Sequence, residues 1–503
     1  MARINTNVQS LVAQRVLGGN NTGLGQALER LSTGLRINRG ADDPAGLIAS
    51  ENLRSEQKSL SQAVANADRA DQVLNIAEGG LQEVSSLLLE LQGLLTASAS
   101  EAGLSKEEKD ANQLQIDSIL QSIDRIAGAT NFQGIKLLNG NFDFSTSGVN
   151  TAAISDIRVN GAKFSGNSQS VNVMVTQSAR NAAALLSFGA ASLDLSSSTA
   201  QFVIEVGGKE GSREFSFASG SSLTSVAAAI NQFSDVTGIV ASYAGGAATN
   251  IVLRSTGYGS EEFVSVKSTD SGGLDVNNTG ICLRPAGSAS FTNDVADFSG
   301  LQNPMRTRGE DVQGTINGVR ATGAGKNLRL ATDFLDVSVE LTATAATTLG
   351  SADTFDITGG GANFQLASKV DIAGQVSIGI QDVAARKLGN STLGYLSSLA
   401  NGKANNVVDG DVGDAQKVVS EAIKQVSSLR GRLGAFQKNV VGATIRSLGV
   451  NIENTAAAQS VIRDADFAAE TASLTRWQTL VGSATNVLGL ANQQPQSALQ
   501  LLG

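Results

Sequence analysis

Apolar residues between positions 60 and 95 recur at spacings of three and four in unbroken alternation: Leu60, Ala63, Ala67, Ala70, Leu74, Ala77, Leu81, Val84, Leu88, Leu91 and Leu95. A second row near the other end, Val419, Ile423, Val426, Leu429, Leu433, Phe436, Val440 and Ala443, runs almost as cleanly. A third follows at Leu474, Trp477, Val481, Ala484, Leu488 and Ala491. A repeat close to about 3.5 residues keeps one face of a helix against another helix along its length. Each row therefore needs helical company, from the other end of the chain or from neighbouring molecules. The pattern predicts a mixed fold: an α-helical coiled-coil rod made from both chain ends, with a large β-rich central insertion in two lobes. Rows at both ends in want of partners suggest a polymer.

Local signals place the elements. Residues 1–43 are amphipathic but interrupted: Ile4, Val8, Leu11 and Val12 form a short stripe, Gly18-Gly19-Asn20-Asn21 weakens any helix, and Leu24, Leu28, Leu31 and Leu35 resume the period. Asp43 and Pro44 read as a helix start, an acid for the free N–H groups followed by an imino acid that lacks a donor where none is needed. That helix is expected to run from Pro44 to about Ala97 and to end within Ser98–Gly103. Ser105-Lys-Glu-Glu108 is a capping box for the next, with Ile116, Ile119, Ile123 and Ile126 as its apolar face. From about Asn139 to Asp371 short alternating runs predict strands, for example at 170–176, 200–206, 214–217, 251–253, 263–266 and 336–341, broken by one helix at Ser222–Asn231. The expected join between the lobes is the Pro285–Pro304 stretch. Helical periodicity returns at Ile378–Leu388, a Gly- and Asn-rich loop spans Ala400–Gly413, and a break is expected around Gly449–Asn454.

Composition narrows the chemistry. The net charge is −9 with no basic arm, which speaks against nucleic acid. No stretch approaches the about 18 consecutive apolar residues of a membrane span. Met1-Ala-Arg-Ile-Asn-Thr-Asn-Val8 has no apolar core of a signal peptide, so an exported chain is expected to leave without a cleaved one. The chain has no histidine and a single cysteine, Cys282, which removes His-based acid–base relays, most zinc sites and internal disulfides. Asp42-Asp43 is read as a helix cap, not a metal pair. Gly323-Ala-Gly-Lys-Asn327 is no phosphate loop, because Arg320 stands where glycine is required and Asn327 where Ser or Thr is. Gly359-Gly360-Gly361 is a turn. No catalytic, cofactor or metal residue is assigned, and the chain is not expected to be an enzyme.

Four separated stretches, in order and in phase, resemble bacterial flagellin: LERLSTGLRINRGADDPAGL (28–47), IDRIAGATNFQGIKLLNG (123–140), SSLRGRLGAFQKNV (427–440) and RDADFAAETASLTRWQTLVGSATNVLGLANQQPQSALQLLG (463–503), together with the start at residues 1–7. The resemblance covers roughly 1–145 and 405–503. Residues 201–267 and 314–341 resemble, more weakly, the surface inserts of flagellins and some hook-associated proteins. The resemblance implies that residues 1–43 form an N-terminal core helix segment and spoke, 44–145 the N-terminal helices of the rod, 146–404 the surface-exposed insert (146–290 and 291–404 as lobes), 405–454 the C-terminal rod helix and 455–503 the C-terminal core helix.

It further implies a structural subunit that self-assembles into the flagellar filament for swimming, outside the cell, exported through the flagellar type III channel. A junction protein between hook and filament is the alternative; a peptidase-bearing flagellin is excluded by the missing histidines. Implied partners are identical copies, hook-associated proteins, the filament cap and an export chaperone on part of 463–503. The expected packing positions between subunits are Ile4, Val8, Leu11, Leu28, Leu31 and Leu35; Leu74, Leu81, Val84, Leu88 and Leu91; Leu429, Leu433 and Phe436; and Leu474, Trp477, Val481 and Leu488. The Leu474–Ala491 row is expected to find its partners in neighbouring molecules, since the N-terminal stripe is short and broken. One departure stands out. Where receptor-recognised flagellins carry Leu-Gln-Arg-Val-Arg-Glu-Leu, this chain has Leu88-Leu-Glu-Leu-Gln-Gly-Leu94, so an arginine-based Toll-like receptor site meets Glu90 instead.

Overall fold

The computed structural model describes residues 6–100, 103–164, 166–197, 199–244, 250–274, 280–285, 290–291, 296–300 and 303–500. Helical ends flank a β-rich centre. Nine α-helices are described: α1 (Val8–Thr33), α2 (Pro44–Ser98), α3 (Lys106–Ala129), α4 (Leu223–Asn231), α5 (Ser234–Thr237), α6 (Ala343–Thr347), α7 (Val412–Phe436), α8 (Gly442–Arg463) and α9 (Phe467–Gln500). The chain divides into two compact units, one of Met1–Leu74, Phe364–Gln375 and Gly434–Gly503, the other of Asn75–Asn363 and Val376–Leu433.

Caps form where the residues require them. Asp43 Oδ1 accepts from the Gly46 amide at 2.9 Å ahead of α2. Asp42 instead braces the preceding turn: its carboxylate accepts from the amides of Arg39 and Asn38 at 2.9 and 3.0 Å, which holds its pKa below the ordinary carboxylate value. Ser105 and Glu108 close the capping box of α3 with bonds of 3.3 and 2.8 Å. All eleven positions of the Leu60–Leu95 row are buried.

In the first unit α2 packs on α8, with Leu60, Ala63 and Leu448 as a small core flanked by Val64 and Ile452. Arg463 reaches Glu51 at 2.7 Å and Gln437 reaches Asp71 at 2.8 Å along the same pair. Apart from Ile423, the seam from 419 onward holds through Leu433 and then changes phase. A π-helical turn at Gln437–Val441 adds one residue to the ladder, so Val441 is buried where strict repetition would bury Val440. The break expected at Gly449–Asn454 is absent: α8 continues to Arg463, and the chain turns at 464–466.

In the second unit α3 buries Ile116, Ile119, Leu120 and Ile123, and α7 buries Val418, Val419, Ala422, Val426, Leu429 and Leu433. Ala422 takes the place expected for Ile423, which is only half-buried. Arg430 Nε binds Glu78 on α2 at 2.8 Å. The central β-region is nested, not sequential. An eight-stranded antiparallel sheet runs in the order 145–147, 350–359, 169–177, 313–316, 319–324, 327–331, 335–341, 154–162. Between its first strands and the rest is inserted a lobe of two four-stranded sheets, built from 183–187, 239–244, 250–255 and 280–283 and from 201–207, 212–218, 263–270 and 305–308. A division at 290/291 therefore cuts through the inserted lobe. The lobes join where the chain crosses at Arg180 and at Glu310, which pair backbone to backbone outside any strand, and not along Pro285–Pro304. Alternation marks strands but carries no information about which distant strand each will pair with.

Ile378–Leu388 is not helical. Among its buried residues Ile380, Val383, Ala384 and Leu388 mimic a helical period, yet amides of the segment bind elsewhere: Ile380 to Phe142 O, Val383 to Leu138 O and Ala385 to Asp124 Oδ1. Non-local partners satisfied the backbone and overrode the local period.

Where this segment meets α7, the Arg432 guanidinium donates to Asn160 Oδ1 and, at 2.7 Å, to the Gly379 carbonyl. Burial pushes its pKa down to about 10. Asp143 lines an adjoining cavity of about 190 Å³ with Asp156, Arg158, Asp382 and Lys387. Burial raises the Asp143 pKa above the ordinary 3.8, outweighing the Phe144 amide and the nearby Arg432 charge. An acid raised in this way costs the fold nothing below its unfolded pKa, and its cost grows as pH climbs through the window above it. Asp143→Asn keeps an oxygen for the Phe144 amide. It is expected to raise the Tm at pH 7, with the gain closing toward pH 3; a thermal melt series across that range checks it, and an equal gain at both ends would contradict it.

Candidate assembly surface

The terminal helices α1 and α9 lie antiparallel, residue numbers rising along one as they fall along the other. Asn7 Nδ2 donates to the Ala491 carbonyl at 2.7 Å, Ser10 Oγ to Asn492 Oδ1 at 2.8 Å and Asn20 Nδ2 to the Leu480 carbonyl at 3.2 Å. Arg30 and Glu470 form an ion pair at 2.9 Å. At the far end Gly34, with φ of 71°, caps α1. The turn behind it docks on the end of α8 and the turn that leads into α9, the Arg36 amide donating to Arg463 O at 2.7 Å and the Ala465 amide to Gly34 O at 2.9 Å.

The expected interruption at Gly18–Asn21 does not occur, because α1 is continuous. Its inward face is a row that the apolar pattern caught only at its leucines: Ser10, Ala13, Leu17, Asn20, Leu24, Ala27 and Leu31, again spaced three and four, all buried or half-buried. Small and polar members hide this row from a hydrophobic reading, although its heptad phase was legible. Leu474, Trp477, Val481 and Leu488 of α9 are half-buried and Ala484 and Ala491 buried. The C-terminal row thus has a partner within its own chain, where the expectation placed its partners in neighbouring molecules.

Gly23 makes the closest approach. A Cβ there would stand 2.7–2.9 Å from three carbons of the Trp477 indole. An alanine in mid-helix ordinarily gains about 1 kcal/mol over glycine, but here the ring must move, and overpacking costs roughly 1–3 kcal/mol. Gly23→Val is expected to red-shift the emission of Trp477, the only tryptophan, and to lower the thermal midpoint. Unchanged emission and melting would show that the helices do not meet here.

The inward row takes Leu17, Leu24 and Leu31 beside its small and polar members, and other large apolar side chains of α1 point outward. Val8 and Leu11 are 57% exposed, Val12 46%, Val16 47% and Leu28 50%. Val8, Leu11, Val12 and Val16 fall on one helical stripe. The register that pairs Asn7 with Ala491 places Val487 and Leu490, also exposed, at the same end of the pair. Phe467, Ile48, Val450 and Val461 add exposed apolar groups to the first unit.

The expected packing positions thus separate into three groups. Val8, Leu11 and Leu28 are exposed. Leu31, Leu35, Phe436, Leu474, Trp477, Val481 and Leu488 are half-buried in their own unit, Phe436 beside Phe364 at 6.5 Å between ring centroids. Leu74, Leu81, Val84, Leu88, Leu91, Leu429 and Leu433 are fully buried within the chain; they are core residues with no surface left for a neighbour, which corrects their assignment. Ile4 lies outside the described residues. Among the described residues no helix is long and apolar enough to cross a membrane.

Comparison with known proteins bears on all of this. Residues 4–143 match the family model for the bacterial flagellin N-terminal helical region, 416–502 that for the C-terminal helical region, and 201–257 the flagellin hook IN motif. A flagellin of Salmonella rubislaw is 30% identical over 525 residues, covering 99% of each chain. A flagellin of Salmonella typhimurium is 29% identical over 527 residues, and flagellin B of Helicobacter pylori 27% over 535, each again covering 99% of both chains.

Proposed function

This chain belongs to the bacterial flagellin family, and from that premise we propose that it polymerises through its helical ends into a filament that drives swimming. Members of this family are structural subunits of the flagellar filament. The observation that carries the finer reading is the outward stripe of Val8, Leu11, Val12 and Val16. The α1–α9 pair is complete within one chain, yet it leaves these residues in water. Each side chain is about half exposed, so burying the rest against a neighbour contributes about 1 kcal/mol, and a filament repeats that gain at every subunit. Residues 1–43 and 455–503 would line the filament core, 44–145 and 405–454 the next shell, and 146–404 the outer surface.

The proposed partners are further copies, with hook-associated proteins and the cap at the filament ends. An export chaperone would cover part of 463–503, shielding apolar groups of α9 until the chain has left the cell by the type III channel without a cleaved signal peptide. A junction protein between hook and filament is the lesser reading, since the relatives aligned over the full length of this chain are flagellins. Negative-stain microscopy after seeding or salting-out tests the proposal. Long uniform tubes are the expected result; short rings, or material that stays monomeric under every polymerising condition, would overturn it.

Innate recognition is expected to be weak. Leu88 and Leu91 are buried in the helical core, and the exposed positions of this stretch include Leu89, Glu90 and Gly93 and no arginine. A charge complement built for arginine would meet a carboxylate at Glu90. Reporter cells bearing the Toll-like receptor should stay silent at doses at which ordinary flagellins activate them; a full response would refute this.

A further inference from the structure

The inserted lobe concentrates positive charge at its root in a protein that is acidic as a whole. The strand 183–187 lies between 250–255 and 280–283. Arg254 pairs directly across from Ala183 on one side. On the other, the Arg284 amide donates to the Ala183 carbonyl at 3.3 Å, extending the 280–283 pairing by one residue. Ala182, Ala184 and Leu186 point into the lobe core, so Ala183 belongs to the opposite face, and cross-strand neighbours share a face. Two guanidinium-bearing residues thus flank a buried alanine, two strand spacings or about 10 Å apart.

A third arginine stands three residues back along the same strand's approach. Arg180 is half-buried at the crossing between the lobes, with Nε 3.6 Å from Glu310 Oε2, a long contact for an ion pair. Its Nη1 is buried and meets no hydrogen-bond acceptor among the described residues. Arg284 Nη2 makes a long contact, 3.4 Å, to Asn181 Oδ1. The other two cations bear on Arg284: burial first, then the charges of Arg180 and Arg254, lower its pKa, and Glu310 is the acidic group that opposes them. Like charges gathered on a sheet face cost stability, and a half-buried guanidinium N–H with no acceptor costs more. An anion would relieve both.

We propose that Arg180, Arg254 and Arg284 form an oxyanion site at the root of the inserted lobe, suited to a sulfate group either free in solution or borne on an acidic polysaccharide. Guanidinium forks present paired donors that match such oxygens and discriminate against a simple halide. The site needs no polymer, so it is independent of the assembly reading and is tested on monomeric full-length protein. Isothermal titration with sodium sulfate, at ionic strength held constant with chloride, is run beside titration with dextran sulfate and with neutral dextran.

The expected result is saturable binding of sulfate, weakened by roughly tenfold or more in Arg254→Gln, as the loss of one charge-assisted contact requires. Arg254 is exposed, so the variant should keep the wild-type circular dichroism. Glu310→Gln removes the competing carboxylate and should tighten binding. Dextran sulfate binding without free sulfate binding, lost in Arg254→Gln, would assign the polysaccharide as the source. No binding of either sulfate form, or binding unchanged in Arg254→Gln, overturns the proposal.

Discussion

Changing Leu11 and Val12 together to lysine will leave the chain folded and stop it polymerising. Both side chains are about half exposed in the isolated chain, so lysines there cost the monomer little. The bonds that hold α1 to α9 come from Asn7, Ser10, Asn20 and Arg30 and are untouched. In a filament the same two positions would enter an apolar contact, where two ammonium groups without counter-charge cost several kcal/mol. The loss recurs at every subunit, so the effect should be complete. Circular dichroism and Trp477 emission should match the parent, while sedimentation after salting-out should yield no pelletable polymer. Filaments at the parental yield would show that this stripe does not face a neighbour.

The second large effect separates folding from assembly. Truncation after Asp466 removes α9 and with it every α1 partner named above: the Ala491 and Leu480 carbonyls, Asn492, Glu470 and the Trp477 ring. Helix α1 carries Gly18, Gly19, Gly23 and Gly25 within 26 residues. Each glycine costs about 1 kcal/mol in a helix, and isolated helices of this length are marginal even with better composition. α1 is therefore expected to unfold, so helical ellipticity should fall by more than the deleted residues account for. Polymerisation should be abolished, and chaperone binding with it. A truncated chain that still forms filaments, or one that loses only the ellipticity of α9, would place the core elsewhere. Together the two variants distinguish a surface that contacts other copies from a helix that its own chain needs.

How much of this was legible in the residues differs by element. The α2 row could be read directly, because a gap-free run of Leu, Val and Ala at heptad spacing has one way to be buried, and all of it is. The cap at Asp43 and the capping box at Ser105 were legible for a similar reason, as they depend on residues within one turn. The partner of α9 was not. Ser10, Asn20 and the glycines of α1 read as a weak helix, but α9 supplies acceptors for Ser10 and Asn20 and a ring for Gly23, and these supports exist only once the two ends meet. The same competition defeated the helical reading of Ile378–Leu388, whose amides bind Phe142, Leu138 and Asp124 from distant parts of the chain.

The assembly positions show the division most plainly. Periodicity marked Leu88 and Leu11 alike as packing residues, because a hydrophobic pattern records that a side chain avoids water and not whose surface it avoids water against. The tertiary structure buried Leu88 in its own core and left Leu11 exposed. It also nested the inserted lobe within the eight-stranded sheet, since alternation along a strand says nothing about its partner across it. Local spacing, capping chemistry and composition by themselves determined helical ends, a β-rich centre and the absence of histidine chemistry. Which rows close within one chain and which remain open was decided only by the folded backbone, because burial is a property of positions that are far apart in the chain and adjacent in space.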